Sequence, residues 1–288
     1  MNRDDATSNA AFADQLRIEF LNLAGYRVRV AIRPGDGKHT PLLMFNGMGA
    51  RLELLVPLAS SLGGIETILF DVPGTGESPV PWHPYHMGML AELTRCMLNR
   101  LGYDRVDVFG LSWGGAAAQQ FALQNATRCR RLILAATTPG MPMVTAMLST
   151  GLKLSSPKRF QSFEYARRIA GESCRGATPA VQDDWAAFGW TQHSNWFGLL
   201  LQQVAMAGWS SHTWLPLLHQ PTLILAGRND PITPVVNARM MAMLIPNSRV
   251  RVLRGGHHFF RTSLAETSTY ISEFLAAADV DRGDPFAS

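Results

Sequence analysis

The sequence is poor in charge and in cysteine, and each shortage excludes a class of protein. Of its 288 residues, 17% are charged and 47% are hydrophobic, which is typical of a globular fold and excludes a disordered chain. The three cysteines, Cys96, Cys129 and Cys174, are odd in number and widely spaced, so they indicate neither a disulfide framework nor a zinc site. No set of His, Cys, Asp and Glu has the spacing of metal ligands, so we expect no metal and no cofactor.

Long runs of one kind of residue are also absent from the sequence. No stretch of about 18 apolar residues occurs, so no transmembrane segment is expected. Residues 1–13 are polar and lack the basic start and apolar run of a signal peptide, which favours a cytoplasmic protein. The net charge of +4 is not concentrated in a block of Lys and Arg, so we expect no nucleic acid among the partners.

What the chain does contain is an alternation of short apolar strands and helices. The predicted strands are 26–33, 42–45, 65–72, 106–110, 131–136, 222–226 and 249–253. The predicted helices are 51–62, 87–101, 114–123, 235–244 and 264–277. Pro57 indicates that the first of these helices starts late or kinks. This order predicts the α/β class, with a mostly parallel central sheet, helices on both faces, and ligands bound beyond the carboxyl ends of the strands.

Residues 139–219 interrupt this alternation. The segment is helical in tendency and holds five tryptophans, namely Trp185, Trp190, Trp196, Trp209 and Trp214. We interpret it as a helical cap (a lid) inserted between the two parts of one core, residues 1–138 and 220–288. An apolar cap suits a long acyl chain, although its aromatic side chains could equally form the cap's own core.

The strongest motif is a G-x-S-x-G sequence, which runs from Gly110 to Gly114 with Ser112 at its centre. It lies between the predicted strand VDVFG and the predicted helix GAAAQQFAL, which is the context of a nucleophile elbow. Small residues beside the serine let the strand and the helix approach closely, and they hold the hydroxyl above the sheet. Ser112 is therefore the candidate nucleophile, and the alternative is a tight turn with an inert serine.

A serine nucleophile needs a base, and the base needs an acid that orients it. Asp230 and His257 follow two late predicted strands, in the chain order serine, acid, histidine of an α/β-hydrolase. Asp230 would hold the imidazole tautomer, and His257 would carry the proton from Ser112 to the leaving group. Asp230 could instead only form a turn before Pro231. His258 competes with His257, but the two glycines before His257 favour His257 as the base.

A tetrahedral intermediate needs hydrogen-bond donors for its negative charge. The backbone N–H of Trp113 is one candidate, and the N–H of Met48, in the glycine-rich loop after strand 42–45, is the other. Asn46 and Gly47 of this loop are assigned to substrate binding, although the loop could also be a simple strand-to-helix turn. The G-x-G sequence at 74–76 lacks the third glycine of a dinucleotide site, so we interpret it as a structural loop.

Several strings resemble the intracellular medium-chain-length polyhydroxyalkanoate depolymerases of the α/β-hydrolase superfamily. They are PLLMFNGMGARLELLVPL, ILFDVPGTGES, VFGLSWGGAAAQQFAL, RRLILAATTPG, PTLILAGRNDPITP and the GGHHFF turn. The resemblance covers residues 41–274 and includes Asn46-Gly47, where many α/β-hydrolases have His-Gly. It implies the α/β-hydrolase fold and a triad of Ser112, Asp230 and His257. It also implies hydrolysis of polyesters of (R)-3-hydroxy fatty acids that are stored as cytoplasmic granules.

The leading hypothesis is therefore a carboxylic-ester hydrolase acting on medium-chain-length poly(3-hydroxyalkanoate) or its oligomers. Its expected partners are a hydrophobic polyester or a medium-chain acyl ester, with the surface of a storage granule as a further candidate. One alternative is a carboxylesterase or acyltransferase acting on small medium-chain esters. Another is a non-catalytic granule-binding protein, but a binder has no need of a complete triad.

Overall fold

The structure is a computed structural model that describes residues 16–142, 144, 156, 158, 162–173 and 195–277. The first and last residues of the predicted core, 1–15 and 278–288, lie outside the described residues. So do Cys174, Trp185 and Trp190 and most of the interval between residues 142 and 195. No helix in the described ranges has both the length and the apolar character needed to span a bilayer.

In the described residues, eight strands form one sheet in the order β1-β2-β4-β3-β5-β6-β7-β8. Neighbouring strands from β3 to β8 pair in parallel, whereas β2 pairs antiparallel with both β1 and β4. The prediction of a mostly parallel central sheet is therefore confirmed. The strands are β1 Arg17–Leu23, β2 Tyr26–Arg33, β3 Leu42–Phe45, β4 Thr67–Phe70, β5 Val106–Leu111, β6 Cys129–Ala135, β7 Thr222–Gly227 and β8 Ser248–Leu253.

The edge strand β1 was not predicted from the sequence. Its sequence RIEFLNL alternates apolar and polar residues, but Ile18 and Phe20 are 47% and 40% exposed, and only Leu21 and Leu23 are buried. Because β1 is buried only at its carboxyl end, its sequence shows a weak alternation of buried and exposed residues. Backbone pairing with β2 also stabilises this strand.

Eight α-helices are described. They are α1 Val56–Ser61, α2 Met87–Leu101, α3 Trp113–Gln124, α4 Phe163–Ser173, α5 Trp196–Met206, α6 Val235–Leu244, α7 Phe259–Thr262 and α8 Leu264–Ala276. The predicted helix 51–62 starts late, as Pro57 indicated. A 3₁₀ turn spans Leu52–Leu55, and the α-helix follows with the proline in its first turn, where a missing N–H costs no hydrogen bond.

The helices cover both faces of the sheet and form two separate hydrophobic cores. On one face, α2, α3 and α6 contribute Leu90, Phe121 and Met241 to the first core. On the other face, α1 and α8 contribute Leu58 and Ile271 to the second. The strands between them are buried on both sides, which explains why β3, β4 and β7 are nearly continuous apolar runs rather than alternating ones.

The strands β6 and β7 are neighbours in the sheet, although some 86 residues separate them. The described residues of this interval hold α4, α5 and a 3₁₀ turn at Leu215–Leu217. An insertion that leaves two parallel neighbours in register is compatible with a cap. The division into a core of residues 1–138 and 220–288 and a cap of residues 139–219 stays a prediction.

A buried ion pair joins β5 to β6 near their amino ends. The guanidinium of Arg130 binds Asp107 with two bonds, from Nε to Oδ1 at 2.9 Å and from Nη2 to Oδ2 at 2.6 Å. The Asp107 side chain is fully buried and that of Arg130 is 15% exposed. Arg130 also donates to the carbonyl of Leu275 at 3.1 Å and so connects α8 to the sheet.

We expect Arg130→Met to lower the free energy of unfolding by about 3 kcal/mol, because the change leaves the Asp107 carboxylate buried without its cation. Chemical denaturation of the purified protein measures this loss. Arg95→Met is the matched control, since Arg95 pairs with Glu92 on the exposed surface of α2 and should contribute little. An equal loss in both variants would contradict the structural role of the buried pair.

Candidate active site

Ser112 occupies a sharp turn between β5 and α3. Its backbone has φ 54° and ψ −119°, a conformation that strains any residue with a side chain. The turn is also crowded, because a methyl group on Gly110, Gly114 or Gly115 would overlap α3, the carbonyl of Asn46 or the side chain of Thr137. The glycines of the motif are therefore required by the close approach of helix and strand.

Hydrogen bonds from β6 and the residues after it fix this turn. The Ser112 N–H donates to the carbonyl of Ala135 at 2.8 Å, and the hydroxyl of Thr137 donates to the carbonyl of Ser112 at 2.7 Å. The backbone of Ser112 is thus held on both sides, while its side chain is half-buried rather than enclosed. The backbone that carries the hydroxyl therefore has a fixed position at the carboxyl end of β5, where ligands bind in parallel sheets.

His257 lies between Ser112 and Asp230 in one chain of hydrogen bonds. The Nε2 atom of His257 is 2.9 Å from Ser112 Oγ, and its Nδ1 atom is 2.8 Å from Asp230 Oδ2. Both His257 and Asp230 are 4% exposed. The three predicted residues, which come from the ends of β5, β7 and β8, thus meet with the geometry of a nucleophile, a base and an orienting acid.

Asp230 accepts further hydrogen bonds from the turn that follows it. Its Oδ1 atom accepts from the N–H groups of Ile232 and Thr233 at 2.8 and 2.9 Å, and its Oδ2 atom accepts from the Thr233 hydroxyl at 2.7 Å. Asp230 therefore forms the turn that was its alternative interpretation and also contacts His257, and its role as the orienting acid stays a prediction.

The pKa of Asp230 is lowered from its ordinary value. Burial alone would raise this pKa, but the charge and hydrogen bond of His257, together with the bonds from Thr233, outweigh the effect of burial. The ionised carboxylate is therefore favoured in the folded protein. Its contribution to stability is complete above about pH 4 and is lost as the pH falls through the lower pKa of the folded state.

The competing histidine, His258, faces a different environment. Its ring meets the ring of His257 edge to face at a centroid distance of 5.3 Å, and that of Phe260 at 5.8 Å. It is 6% exposed. His258 thus packs behind His257, and it is His257 whose two nitrogens reach Ser112 and Asp230.

The loop after β3 lies directly beside Ser112. A methyl group on Gly47 would sit 3.8 Å from the Cβ atom of Ser112. Asn46 is 3% exposed, and its carboxamide is bonded within the loop, where it donates to the carbonyl of Arg51 and accepts from the Gly47 N–H at 2.8 Å. The side chain of Asn46 therefore shapes the loop. The roles of Asn46 and Gly47 in substrate binding, and of Met48 as an oxyanion donor, stay predictions.

Trp113 is the first residue of α3, so its N–H has no carbonyl of its own helix to bind. This is the geometry that its predicted role in an oxyanion hole needs, and that role stays a prediction. The indole of Trp113 is buried, and its Nε1–H donates to the carbonyl of Gln202 in α5 at 3.0 Å.

Two residues at this site had no place in the sequence analysis. Thr233 was detectable, because an aspartate in a turn typically accepts from backbone N–H groups shortly after it, and this brings Thr233 beside the carboxylate. Gln202 was not, because its contacts with Gly49 and Trp113 span 153 and 89 residues of the sequence.

Hydrogen bonds to Asp71 hold the loop of the G-x-G sequence together and connect it to the 3₁₀ turn after β3, which agrees with the prediction of a structural loop. The fully buried carboxylate of Asp71 accepts from the N–H groups of Leu52 and Glu77 at 2.8 and 3.0 Å. Burial raises the pKa of Asp71, although these bonds and the nearby Arg29 oppose the effect. In the described part of the chain, no group of three or more His, Cys, Asp and Glu could hold a metal ion.

Comparison with known proteins agrees with this architecture. The profile of the alpha/beta hydrolase fold family matches residues 40–171 and 174–261. A hydrolase from Pseudomonas aeruginosa superposes on the structure with a TM-score of 0.77 at 24% identity, over 91% of this chain and 99% of its own. An esterase from Exiguobacterium antarcticum superposes with a TM-score of 0.78 at 19% identity, over 90% and 99%. Both superpositions show that the chain has the same fold as these two proteins.

One curated protein is much more similar in sequence. The chain is 40% identical over 259 residues to the poly(3-hydroxyalkanoate) depolymerase of Ectopseudomonas oleovorans, and the match spans 88% of this chain and 91% of that protein. It is 26% identical over 272 residues to the 2-hydroxymuconate semialdehyde hydrolase of Pseudomonas putida. The chain therefore belongs to the α/β-hydrolase family, in the group that contains this poly(3-hydroxyalkanoate) depolymerase.

Proposed function

We propose that the protein is a serine hydrolase that cleaves the ester bonds of medium-chain-length poly(3-hydroxyalkanoate) or its oligomers through an acyl-enzyme. The observation that carries the proposal is the chain of hydrogen bonds from Asp230 through His257 to Ser112. The substrate class is supported by the 40% identity to a poly(3-hydroxyalkanoate) depolymerase. The protein's place of action would be the surface of cytoplasmic polyester granules.

In the first half of the proposed reaction, the Ser112 Oγ atom attacks the carbonyl carbon of the ester, and His257 Nε2 takes the serine proton. The π electrons of the carbonyl move to its oxygen, which the N–H groups of Trp113 and Met48 would stabilise. Asp230 stabilises the imidazolium through Nδ1. As the intermediate collapses, the bond to the leaving oxygen breaks, and His257 returns the proton to that oxygen.

In the second half, water replaces the serine as the attacking group. His257 takes a proton from the water, the hydroxide adds to the acyl carbon, and the bond to Ser112 breaks as Oγ recovers a proton. The products are a free carboxylic acid and an alcohol. For a polyester of hydroxy acids, both are shorter chains or monomers, since each unit carries one hydroxyl and one carboxyl.

The apolar surface of α5 supports a hydrophobic substrate. Apart from Gln202 and Gln203, this helix consists of apolar residues and one glycine. Four of its large side chains, Trp196, Phe197, Leu200 and Val204, are between 39% and 57% exposed. The same helix contacts the segments beside Ser112 through Gln202, and exposed apolar side chains grouped on one helix are typical of a surface that contacts an apolar ligand.

We expect the wild type to release 3-hydroxyoctanoic acid or short oligomers from amorphous poly(3-hydroxyoctanoate), and Ser112→Ala to release at least about 1,000-fold less. Mass spectrometry of the soluble products measures both. Cleavage of soluble medium-chain esters without any polymer product would overturn the polymer substrate but keep the mechanism. Equal product from both proteins would overturn the mechanism.

Substitution of the two adjacent histidines separates the base from its neighbour. His257→Ala should lower kcat on para-nitrophenyl octanoate by about 1,000-fold or more, because the serine loses its proton acceptor. His258→Ala removes a buried ring that contacts His257 and should lower kcat by about tenfold at most. If His258→Ala proves the more damaging change, His258 is the base.

Asp230→Asn should lower kcat on the same ester by about 1,000-fold or more while the protein still folds, since the amide cannot stabilise the imidazolium. The variant should also lose stability relative to the wild type at pH 7, and this difference should shrink at pH 3, below the pKa of the unfolded carboxyl. Denaturation curves at both pH values test this dependence. Unchanged kcat would show that another acid orients His257.

A further inference from the structure

Gln202 connects the helix α5 to two segments beside Ser112, the loop after β3 and the start of α3. Its side chain is nearly inaccessible, with 1% exposure of the residue, although the helix around it is apolar. Its Oε1 atom accepts a hydrogen bond from the backbone N–H of Gly49 at 2.6 Å. Its backbone carbonyl accepts from the indole Nε1–H of Trp113 at 3.0 Å. A single residue of α5 thus contacts both segments that carry the proposed oxyanion donors.

The bond from the Gly49 N–H to Gln202 restricts the backbone of the loop after β3 next to Met48. The peptide before Gly47 is fixed by the bond from the Gly47 N–H to Asn46, and the peptide before Gly49 is fixed by the bond to Gln202. The peptide between them carries the N–H of Met48. Two fixed peptide planes leave little freedom for the one they enclose, so the direction of the Met48 N–H depends on both bonds.

The acceptor on α5 is itself held in place. At Gly198 the helix touches the loop after β4 so closely that a methyl group there would overlap the carbonyl of Gly74. The helix cannot move further towards the core at this point. The bond from Trp113 to the carbonyl of Gln202 fixes the helix one turn later. The carboxamide of Gln202 therefore extends from a rigid base.

We infer that Gln202 is a positioning residue, which holds the Met48–Gly49 peptide so that the Met48 N–H points at the developing oxyanion. The inference rests on the proposed function, because it assigns Gln202 to the oxyanion hole of that reaction. A misdirected N–H stabilises the transition state less but leaves the binding of the substrate almost unchanged. The loss of stabilisation therefore lowers kcat and has little effect on KM. Gln202 itself touches no reacting atom.

The test uses Gln202→Met, which keeps the length of the side chain and its helical preference but removes the acceptor. On para-nitrophenyl octanoate we expect kcat to fall by about 10- to 100-fold, less than for the complete loss of an oxyanion donor, and KM to change little. An alkyl trifluoromethyl ketone supplies a second measurement. Ser112 Oγ adds to its carbonyl carbon, the proton moves to His257, and the new oxyanion occupies the same hole. Its inhibition constant should rise in proportion to the fall in kcat.

A matched control is Gln120→Met. Gln120 Oε1 also accepts a hydrogen bond from an indole, that of Trp209 at 2.9 Å, and this part-buried bond lies about two turns along α3 from Trp113 and does not involve Gly49. Its loss should leave kcat and the inhibition constant within about twofold of the wild type. If Gln202→Met does not fold, Gln202→Asn replaces it, because that side chain is one methylene too short to reach Gly49 and should reduce kcat in the same way.

The outcomes separate the inference from the proposed function. A parallel loss of kcat and ketone affinity in the Gln202 variant, absent from the Gln120 variant, supports the inference. Turnover by the wild type with equal effects in both variants, or with a change in KM alone, overturns the inference and leaves the proposed function intact. No turnover of the ester by the wild type overturns both.

Discussion

Close packing of backbone against backbone at Ser112 is the constraint on which the site depends. The start of α3 presses on β5, on the end of β3 and on the residues after β6, and glycine is the residue type that fits between them. This contact fixes the height of the serine above the sheet. The strands β7 and β8 are parallel neighbours, so their carboxyl ends lie at the same edge of the sheet as Ser112. An acid after β7 and a histidine after β8 can therefore reach the serine.

Much of the fold and of the site could be predicted from the sequence because the signals are local. The strands buried on both faces are short apolar runs, and the turn at Ser112 has a motif with a steric reason. Chain order then identified Asp230 and His257, since consecutive parallel strands bring their carboxyl ends to one edge. The choice of His257 over His258 agrees with the contacts of the two rings, although catalysis by His257 remains a proposal.

The features that the sequence did not reveal depend on contacts between distant segments. The strand β1 has two exposed apolar residues and is recognisable by its pairing with β2 rather than by its own pattern. Gln202 is one of two adjacent glutamines in α5, and nothing in the helix distinguishes it from Gln203, its more exposed neighbour. Its importance depends on the position of α5 over Gly49 and Trp113, and that position is set by tertiary packing.

The backbone of Ser112 has a consequence for evolution and for protein design. Glycine would adopt φ 54° and ψ −119° without the strain that a serine pays, which is about 1–3 kcal/mol for such conformations. Selection for folding alone would therefore replace the serine, and a sequence optimised for stability on this backbone would lose its hydroxyl. Folding and the proposed chemistry thus favour different residues at position 112, and the chain carries the residue that the proposed chemistry requires.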